Sequence, residues 1–163
     1  MTTANNSEKA ERLLDATSWA LLVALQENAR ATYAELGRLV GLTPPAVADR
    51  IRRLEAAGVI TGYRATVNPA MLGLSLKAII RFRCAYTCER TLSFARTCPE
   101  IIECHSITGE DCMTMTAVVS SVAHLQRLIA RLGEYGSSTT VTVLDSPIAQ
   151  RAITRETLRG EGD

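Results

Sequence analysis

Hydrophobic positions in the first sixty residues recur at helical spacing. An apolar stripe that includes Leu21, Leu22 and Leu25 predicts a first helix. Thr32 and Glu35 fit the capping box that begins a second helix, which Gly41 ends. A third begins with Thr43 as N-cap and Pro44 at the first helical position, and Gly58 stops it. The predicted helices span residues 15–28, 33–40 and 43–57.

The second and third predicted helices indicate a helix-turn-helix, and Gly41 allows the tight turn between them. Val47, Ile51 and Leu54 fall on the inward face of the third helix. In a docked recognition helix, outward residues near the N-terminus meet base edges, and basic residues further along reach phosphate or guanine. The candidate DNA-binding residues are therefore Thr43, Pro45, Ala46, Asp49, Arg50 on the flank, Arg52 and Arg53.

A β-hairpin is predicted directly after the third helix. Val59-Ile60 and residues 63–67 are β-rich, and Thr61-Gly62 separates them. A hairpin at this place is the wing of a winged helix-turn-helix, and it would let Arg64 touch the DNA backbone or minor groove. A plain helical bundle with a solvated charged face is the alternative for the three helices, but such a bundle has no need of a wing.

The second half of the chain changes to period-two alternation, which indicates strands. The first strand carries Leu76, Ile80 and Phe82 on one face and Lys77 and Arg81 on the other. We predict strands over residues 74–85, 101–108, 113–119 and 139–144, with helices over 89–98 and 123–132. The order βαββαβ is the ferredoxin-like plan, with two helices on one face of a four-stranded sheet. Apolar residues fall on both strand faces, so the second face needs a partner subunit or remains an exposed apolar patch.

Composition narrows the class of protein. The formal net charge is +1, so any DNA contact must come from a local basic patch. No apolar run approaches the about 18 residues that span a bilayer, and the polar start lacks a signal-peptide core; we expect a cytoplasmic protein without membrane contact. No Ser-His-Asp constellation or phosphate loop occurs, and two histidines leave little for acid–base chemistry, so no enzyme and no cofactor are expected.

The five cysteines stand at positions 84, 88, 98, 104 and 112. Five is odd, and no CxxC pair occurs. A disulfide framework is not expected, and a metal site would need three or four converging ligands. We interpret the cysteines as small buried hydrophobic residues and predict no metal site.

Several linked motifs resemble the Lrp/AsnC (feast/famine) family of transcriptional regulators. The resemblance covers roughly residues 13–148. It is carried by Leu14-Asp15 with Leu21-Leu22, by Val47, Arg50-Ile51 and Arg53-Leu54-Glu55 in the third helix, by Gly58-Val59-Ile60 and Gly62-Tyr63, by Asn68-Pro69 and Leu72-Gly73, and by the stretch EIIECHSITGEDC. It implies a winged helix-turn-helix domain (13–67), a linker (68–73) and a ferredoxin-like amino-acid-sensing and oligomerisation domain (74–148). The polar residues on either side are interpreted as a flexible arm (1–12) and a tail (149–163).

The resemblance further implies dimers that assemble into tetramers or octamers, with an amino-acid effector bound between subunits near the loop after the second strand. Gly109 permits close backbone approach, the N–H groups up to Cys112 suit an α-carboxylate, and Glu110 or Asp111 suits an α-ammonium. Hydroxyl groups are offered by Ser138 and by its neighbours up to Thr140. A plain hairpin turn is the alternative for Gly109–Asp111.

Cys112 departs from the family pattern, because many members carry Asp at this position. Asp111 lies one position earlier, on the opposite strand face if the register holds. An ammonium contact is therefore not carried over to Cys112, and the amino acid that binds is not indicated. A thiol-responsive regulator and an architectural DNA-binding protein without effector remain alternative functions, and a detached regulatory subunit of an enzyme is a third.

Overall fold

A computed structural model describes residues 13–159, which form two compact units. The predicted arm, residues 1–12, lies outside the described residues. One unit contains the described residues up to Ala65 together with those from Ile148 onward, and the other spans Thr66–Pro147. The order of elements confirms the predicted fold class of an N-terminal helix-turn-helix followed by an α+β domain. No helix among the described residues combines the length and apolar character needed to cross a bilayer.

Three α-helices, all within residues 16–56, build the helix-turn-helix part of the first unit, and each begins at a residue suited to its start. Asp15 caps the first by accepting from the Ser18 N–H at 2.7 Å. The capping box predicted for Thr32 and Glu35 is confirmed. Thr43 occupies the N-cap of the third helix, but its hydroxyl makes no cap bond there. The helices are α1 (Ala16–Glu27), α2 (Tyr33–Val40) and α3 (Pro44–Ala56).

The helices of the first unit enclose a small aliphatic core, into which Leu21, Leu36 and Val47 are fully or almost fully buried. Between α2 and α3 the chain turns tightly at Gly41, whose φ of 70° suits glycine. A Cβ at Gly37 would collide with the Leu42 carbonyl, so the α2–α3 turn requires glycine there. The predicted inward face of α3 is confirmed by the burial of Val47, Ile51 and Leu54.

The segment after α3 lacks the two short strands that were predicted for the wing. All of residues 57–67 are described, and none of them is in a strand. The Val59 and Ile60 N–H groups turn back to the Leu54 carbonyl, at 2.9 and 3.3 Å. These bonds cap the end of α3 instead of forming a ladder. An isolated two-stranded hairpin is marginal in water, and β-branched residues alone do not supply a pairing partner.

The second unit is a four-stranded antiparallel sheet with two helices. The strands are β1 (Leu76–Cys84), β2 (Ile101–Ser106), β3 (Met113–Val119) and β4 (Gly136–Thr142), and the helices are α4 (Cys88–Thr97) and α5 (Val122–Gly133). The strand order is β2-β3-β1-β4. This order and the two helices on one face make the unit ferredoxin-like, as predicted.

The bounds of β1, β2 and β4 differ from prediction, and for two of these boundaries the contacts give the reason. Strand β4 begins at Gly136 rather than at residue 139, because Gly136 pairs with Cys84. A Cβ there would collide with the Arg83 carbonyl, so only glycine permits this approach. Strand β2 ends at Ser106, because the Ile107 N–H turns to the Cys112 carbonyl at 3.1 Å and starts the loop.

The two faces of the sheet differ in character. The helix-covered face buries Ile80, Phe82 and Met115 against Leu128 and Leu132. On the other face, which we call the open face, β1 exposes alternate residues. The expectation of an apolar open face is only partly right, because this face mixes apolar and charged side chains. It carries Lys77, Ile79, Arg81, Arg83, Thr139 and Val141.

The linker and the tail each contain a short 3-10 helix. In the linker it spans Pro69–Leu72, and Asn68 caps it by accepting from the Ala70 N–H at 3.0 Å. In the tail it spans Arg155–Arg159. The tail belongs to the first unit, where Ile153 contacts α1.

Candidate DNA interface and effector site

The outer surface of α3 presents the predicted DNA-contacting residues to solvent. Thr43, Pro45 and Ala46 are exposed at its N-terminal end. Arg52 and Arg53 follow on the same helix, with 73% and 61% of their side chains exposed. A helix surface with small side chains at its N-terminal end and arginines further along can approach base edges and phosphates.

Asp49 pairs with both exposed arginines of α3. Its carboxylate contacts the Arg53 guanidinium one turn away and lies 3.7 Å from that of Arg52. Exposed pairs of this kind add at most about 1 kcal/mol, so a phosphate can displace them. The pairs orient the arginines without holding them away from a ligand.

Arg50 has a different environment from the other arginines of α3. Its Nη1 donates to both carboxylate oxygens of Asp15 at 2.7 Å and to Ser18 Oγ at 2.9 Å. Only 30% of its side chain is exposed. The N–H of Ser18 and the Arg50 guanidinium hold the pKa of Asp15 below its usual range. Arg50 therefore ties α3 to the start of α1, and the geometry does not favour its predicted DNA contact.

The segment after α3 is fastened to that helix by Tyr63. Its hydroxyl donates to Glu55 Oε1 at 2.9 Å. The pKa of Tyr63 is raised to about 12, mainly by burial and secondly by this bond to Glu55. The phenol therefore stays protonated and the bond persists. Arg64 follows directly and is exposed. The anchored segment thus presents Arg64 beside α3 even though it is not a hairpin.

In the second unit, the loop between β2 and β3 carries the predicted effector residues. Gly109 has a φ of 111°, which side-chain-bearing residues rarely adopt. Asp111 accepts from Arg81 Nε at 2.7 Å, and its carboxylate is only 13% exposed. Glu110 contacts Arg83, through its carbonyl at 3.0 Å and its carboxylate at 3.1 Å. Acidic and basic groups therefore meet at one end of the open face.

The structure does not bring all six predicted effector residues into one site within a chain. Ser138 and Thr140 pair with Phe82 and Ile80, so they belong to the helix-covered face. Their neighbour Thr139 pairs with Arg81 and shares the open face instead. The cause is the strand register, which a local pattern of hydroxyl residues does not reveal. The Thr140 Oγ1 atom is buried and lacks a hydrogen-bond partner among the described residues.

Cys112 separates from Asp111, as the alternation of strand faces predicted. Its thiol packs with Cys84 and Cys88 against the helix-covered core. The Cys84 N–H donates to Cys112 Sγ at 3.4 Å and lowers the pKa of Cys112. Hydrogen bonding to Cys84 raises the pKa of Cys88 to about 12. Neither the convergence of these three thiols nor the placement of Arg81 and Arg83 beside the loop was predicted, because each depends on contacts between distant residues.

The first unit is a helix-turn-helix with an exposed basic recognition helix, and the second is a ferredoxin-like domain with a charged loop. Together they define a DNA-binding regulator with a ligand-binding domain. Family models for the AsnC-type helix-turn-helix domain and for the Lrp/AsnC ligand binding domain match residues 14–55 and 77–153. The chain belongs to the Lrp/AsnC family of transcriptional regulators, and it is not an enzyme.

Relatives of known sequence support this assignment along most of the chain. The HTH-type transcriptional regulator YezC of Bacillus subtilis (strain 168) is 38% identical over 133 residues, which are 82% of this chain and 95% of the relative. The regulatory protein AsnC of Escherichia coli (strain K12) is 30% identical over 142 residues, which are 83% of this chain and 93% of AsnC.

Solved structures agree with the fold. LrpC of B. subtilis superposes with a TM-score of 0.80 at 28% identity, covering 84% of this chain and 99% of LrpC. The transcriptional regulator NMB0573 of Neisseria meningitidis, solved as a complex with L-Met, gives a TM-score of 0.82 at 28% identity, covering 89% of this chain and 99% of that one. The resemblance of the sequence to the Lrp/AsnC family is thereby confirmed.

Proposed function

We propose that α3 reads operator DNA and that an amino acid, bound by the second unit of an oligomer, modulates this binding. The domains take the predicted roles: DNA binding for residues 13–67, a linker over 68–73, and sensing and assembly for 74–148. The observation that carries the proposal is the exposed α3 surface, with small residues at its N-terminal end and Arg52 and Arg53 behind them. We propose a cytoplasmic location, because a regulator of this kind must reach the chromosome.

Within the DNA interface, we assign base contacts to the N-terminal end of α3 and phosphate contacts to the basic residues. Thr43 has no cap bond, so its hydroxyl is free to donate to DNA. Arg52, Arg53 and Arg64 supply the positive charge, and Asp49 orients the first two. Arg50 is left out of this interface because Asp15 and Ser18 engage its guanidinium.

The DNA proposal is tested with Arg53→Ala and Arg52→Ala. The probe is the DNA upstream of the protein's own gene, and affinity is measured at several salt concentrations. Each substitution should weaken binding by about ten-fold at about 0.1 M salt, and the loss of a phosphate contact should reduce the salt slope by about one. Arg127→Ala, which changes an exposed arginine of α5 in the other unit, is the matched control and should bind like wild type. Unchanged affinity in both α3 variants would remove α3 from the interface.

An amino-acid effector is supported by the groups around the loop between β2 and β3. A zwitterion needs a cation for its carboxylate and an anion for its ammonium. Arg83, 54% exposed, offers the first, and the sheltered Asp111 offers the second. Gly109 leaves backbone N–H groups open to approach. The similar Neisseria protein binds L-Met, which is a ligand of this class.

Calorimetry against the twenty amino acids tests the effector proposal. At least one should bind to the wild type, and Asp111→Ala should weaken that binding by ten-fold or more. Asp145→Ala removes an exposed acidic group in the same unit and should leave binding unchanged. If none of the twenty amino acids gives a heat of binding, the alternative of an architectural DNA-binding protein without effector is favoured.

A dimer that assembles into a tetramer or octamer is the proposed form of the protein. Ile79 and Val141, which pair across β1 and β4, expose 38% and 53% of their surface on the open face. A second copy is the simplest cover for this apolar end of the face. Sedimentation velocity should show a dimer or a larger assembly, and Ile79→Glu should shift it toward the monomer.

A further inference from the structure

Three cysteines from different elements converge at one corner of the second unit. Cys84 ends β1, Cys88 begins α4, and Cys112 closes the loop before β3. Their sulfur atoms all lie within 4.8 Å of one another. All three are free thiols and are partly exposed, so a small ion can reach them from solvent.

We propose that Cys84, Cys88 and Cys112 bind one thiophilic d10 metal ion, such as Zn²⁺, through their three sulfur atoms. An ion with metal–sulfur bonds of about 2.3 Å holds its thiolates about 4 Å apart. The observed separations therefore need only a small inward movement. Soft thiolate ligands select zinc and cuprous copper over magnesium or calcium.

Hydrogen bonds around the cluster suit sulfur atoms that carry negative charge. The hydroxyl of Thr91, which is buried to 1% exposure, donates to Cys84 Sγ at 3.7 Å. The Cys84 N–H donates to Cys112 Sγ at 3.4 Å. Donors of this kind orient metal ligands and tune their basicity. Cys88 lies at the first position of α4, where the helix dipole favours an anion.

A bound ion would add a direct link between three segments that otherwise meet through packing and hydrogen bonds. It would fix the end of the loop that holds Gly109, Glu110 and Asp111. This inference does not depend on the proposed effector, because it rests on the thiols alone.

Cobalt substitution tests the metal site in the full-length protein. Co²⁺ is titrated into the reduced chain, and thiolate-to-metal absorption is followed in the near ultraviolet. We expect saturation at one ion per chain and displacement by Zn²⁺. Cys84→Ser, Cys88→Ser and Cys112→Ser should each abolish or strongly weaken the bands. Cys98→Ser is the matched control, because Cys98 is buried beside Glu100 in another part of the core, and it should retain them.

A measurement on the unaltered chain guards against variants that fail to fold. Iodoacetamide labelling with peptide mass spectrometry should show that Zn²⁺ protects Cys84, Cys88 and Cys112 together. The proposal is overturned if Zn²⁺ protects none of them or if the three serine variants keep the cobalt bands. It is also overturned if two of the thiols pair as a disulfide in air while the reduced protein binds no metal.

Discussion

Gln26 and Ile153 exchange two hydrogen bonds across a separation of 127 residues in the chain. The Gln26 Nε2 donates to the Ile153 carbonyl, and the Ile153 N–H donates to Gln26 Oε1, both at 2.9 Å. A side-chain amide thus pairs with the backbone as a neighbouring strand would. Gln26 lies in the last turn of α1, so this pair fastens the C-terminal tail to the helix-turn-helix unit.

Gln26→Ala should release the tail without unfolding the unit. Both bonds are exposed, so their loss should cost only about 1 kcal/mol each. We expect faster hydrogen exchange at the Ile153 amide and earlier tryptic cleavage after Arg151, with little change in melting temperature. Gln126→Ala, on the exposed face of α5, is the control. If the Ile153 amide exchanges at the wild-type rate in the variant, the pair does not hold the tail.

Gly37→Ala should destabilise the helix-turn-helix unit strongly. The added Cβ would meet the Leu42 carbonyl, which is backbone and cannot swing away. Overpacking of this kind typically costs about 1–3 kcal/mol. Urea unfolding followed by the fluorescence of Trp19, the single tryptophan, reports on this unit. A variant as stable as the wild type would mean that the turn relaxes freely.

The control for Gly37 is Gly133→Ala. Gly133 is also helical, but a Cβ there meets no described atom within 4 Å. Alanine is the better helix former by about 0.5–1 kcal/mol, so circular dichroism should show unchanged or slightly higher stability.

Local signals predicted the elements well, and contacts between distant residues account for what was missed. The bounds of α2 and β3 agree with prediction, because a capping box marks the start of α2 and alternating Met and Thr residues mark the start of β3. The prediction of wing strands was wrong, because the β-branched Val59 and Ile60 indicate a preference for extended backbone but do not supply a strand to pair with. Likewise, the placement of Thr140 depends on its register against Ile80, which no short window of sequence contains.

For the candidate sites too, local sequence signals predicted some features, whereas contacts between distant residues were missed. Helical periodicity was enough to separate the exposed Arg52 and Arg53 from the inward Val47. It could not show that Arg50 reaches Asp15, 35 residues away. The cysteine spacing gave no metal motif, because Cys112 joins Cys84 and Cys88 only through the pairing of β1 with β3.

Glu100 should make the second unit sensitive to acid. The Cys98 thiol donates to its carboxylate at 3.0 Å and, with His124 and Arg131, lowers the pKa of Glu100 from 4.5 to about 2. A folded-state pKa below the unfolded value stabilises the protein above that unfolded value. The stabilisation, about 3 kcal/mol at most, is lost as the pH falls from about 5 toward 2.

The measurement compares wild type with Glu100→Gln by urea unfolding between pH 7 and pH 3. The variant should be less stable at neutral pH, and the difference in unfolding free energy should stay constant down to about pH 5 and narrow below it. Glu103→Gln, which changes an exposed carboxylate of β2 three residues further along the chain, should follow the wild-type profile. A constant difference between Glu100→Gln and wild type at every pH would show that the carboxylate charge contributes nothing.

Asp49→Ala should make DNA binding tighter but less selective. The substitution frees Arg52 and Arg53 from their shared partner and removes a negative charge that repels phosphate. Non-specific affinity should rise about ten-fold, a gain of about 1.4 kcal/mol, and the ratio of operator to non-specific affinity should fall. Titrations with operator and scrambled duplexes at matched salt provide the measurement. Glu134→Ala makes the same charge change at the exposed residue that follows α5, and it should alter neither affinity. If Asp49→Ala weakens binding to both duplexes equally, Asp49 acts mainly by holding the two arginines in their binding geometry, and its repulsion of phosphate is unimportant.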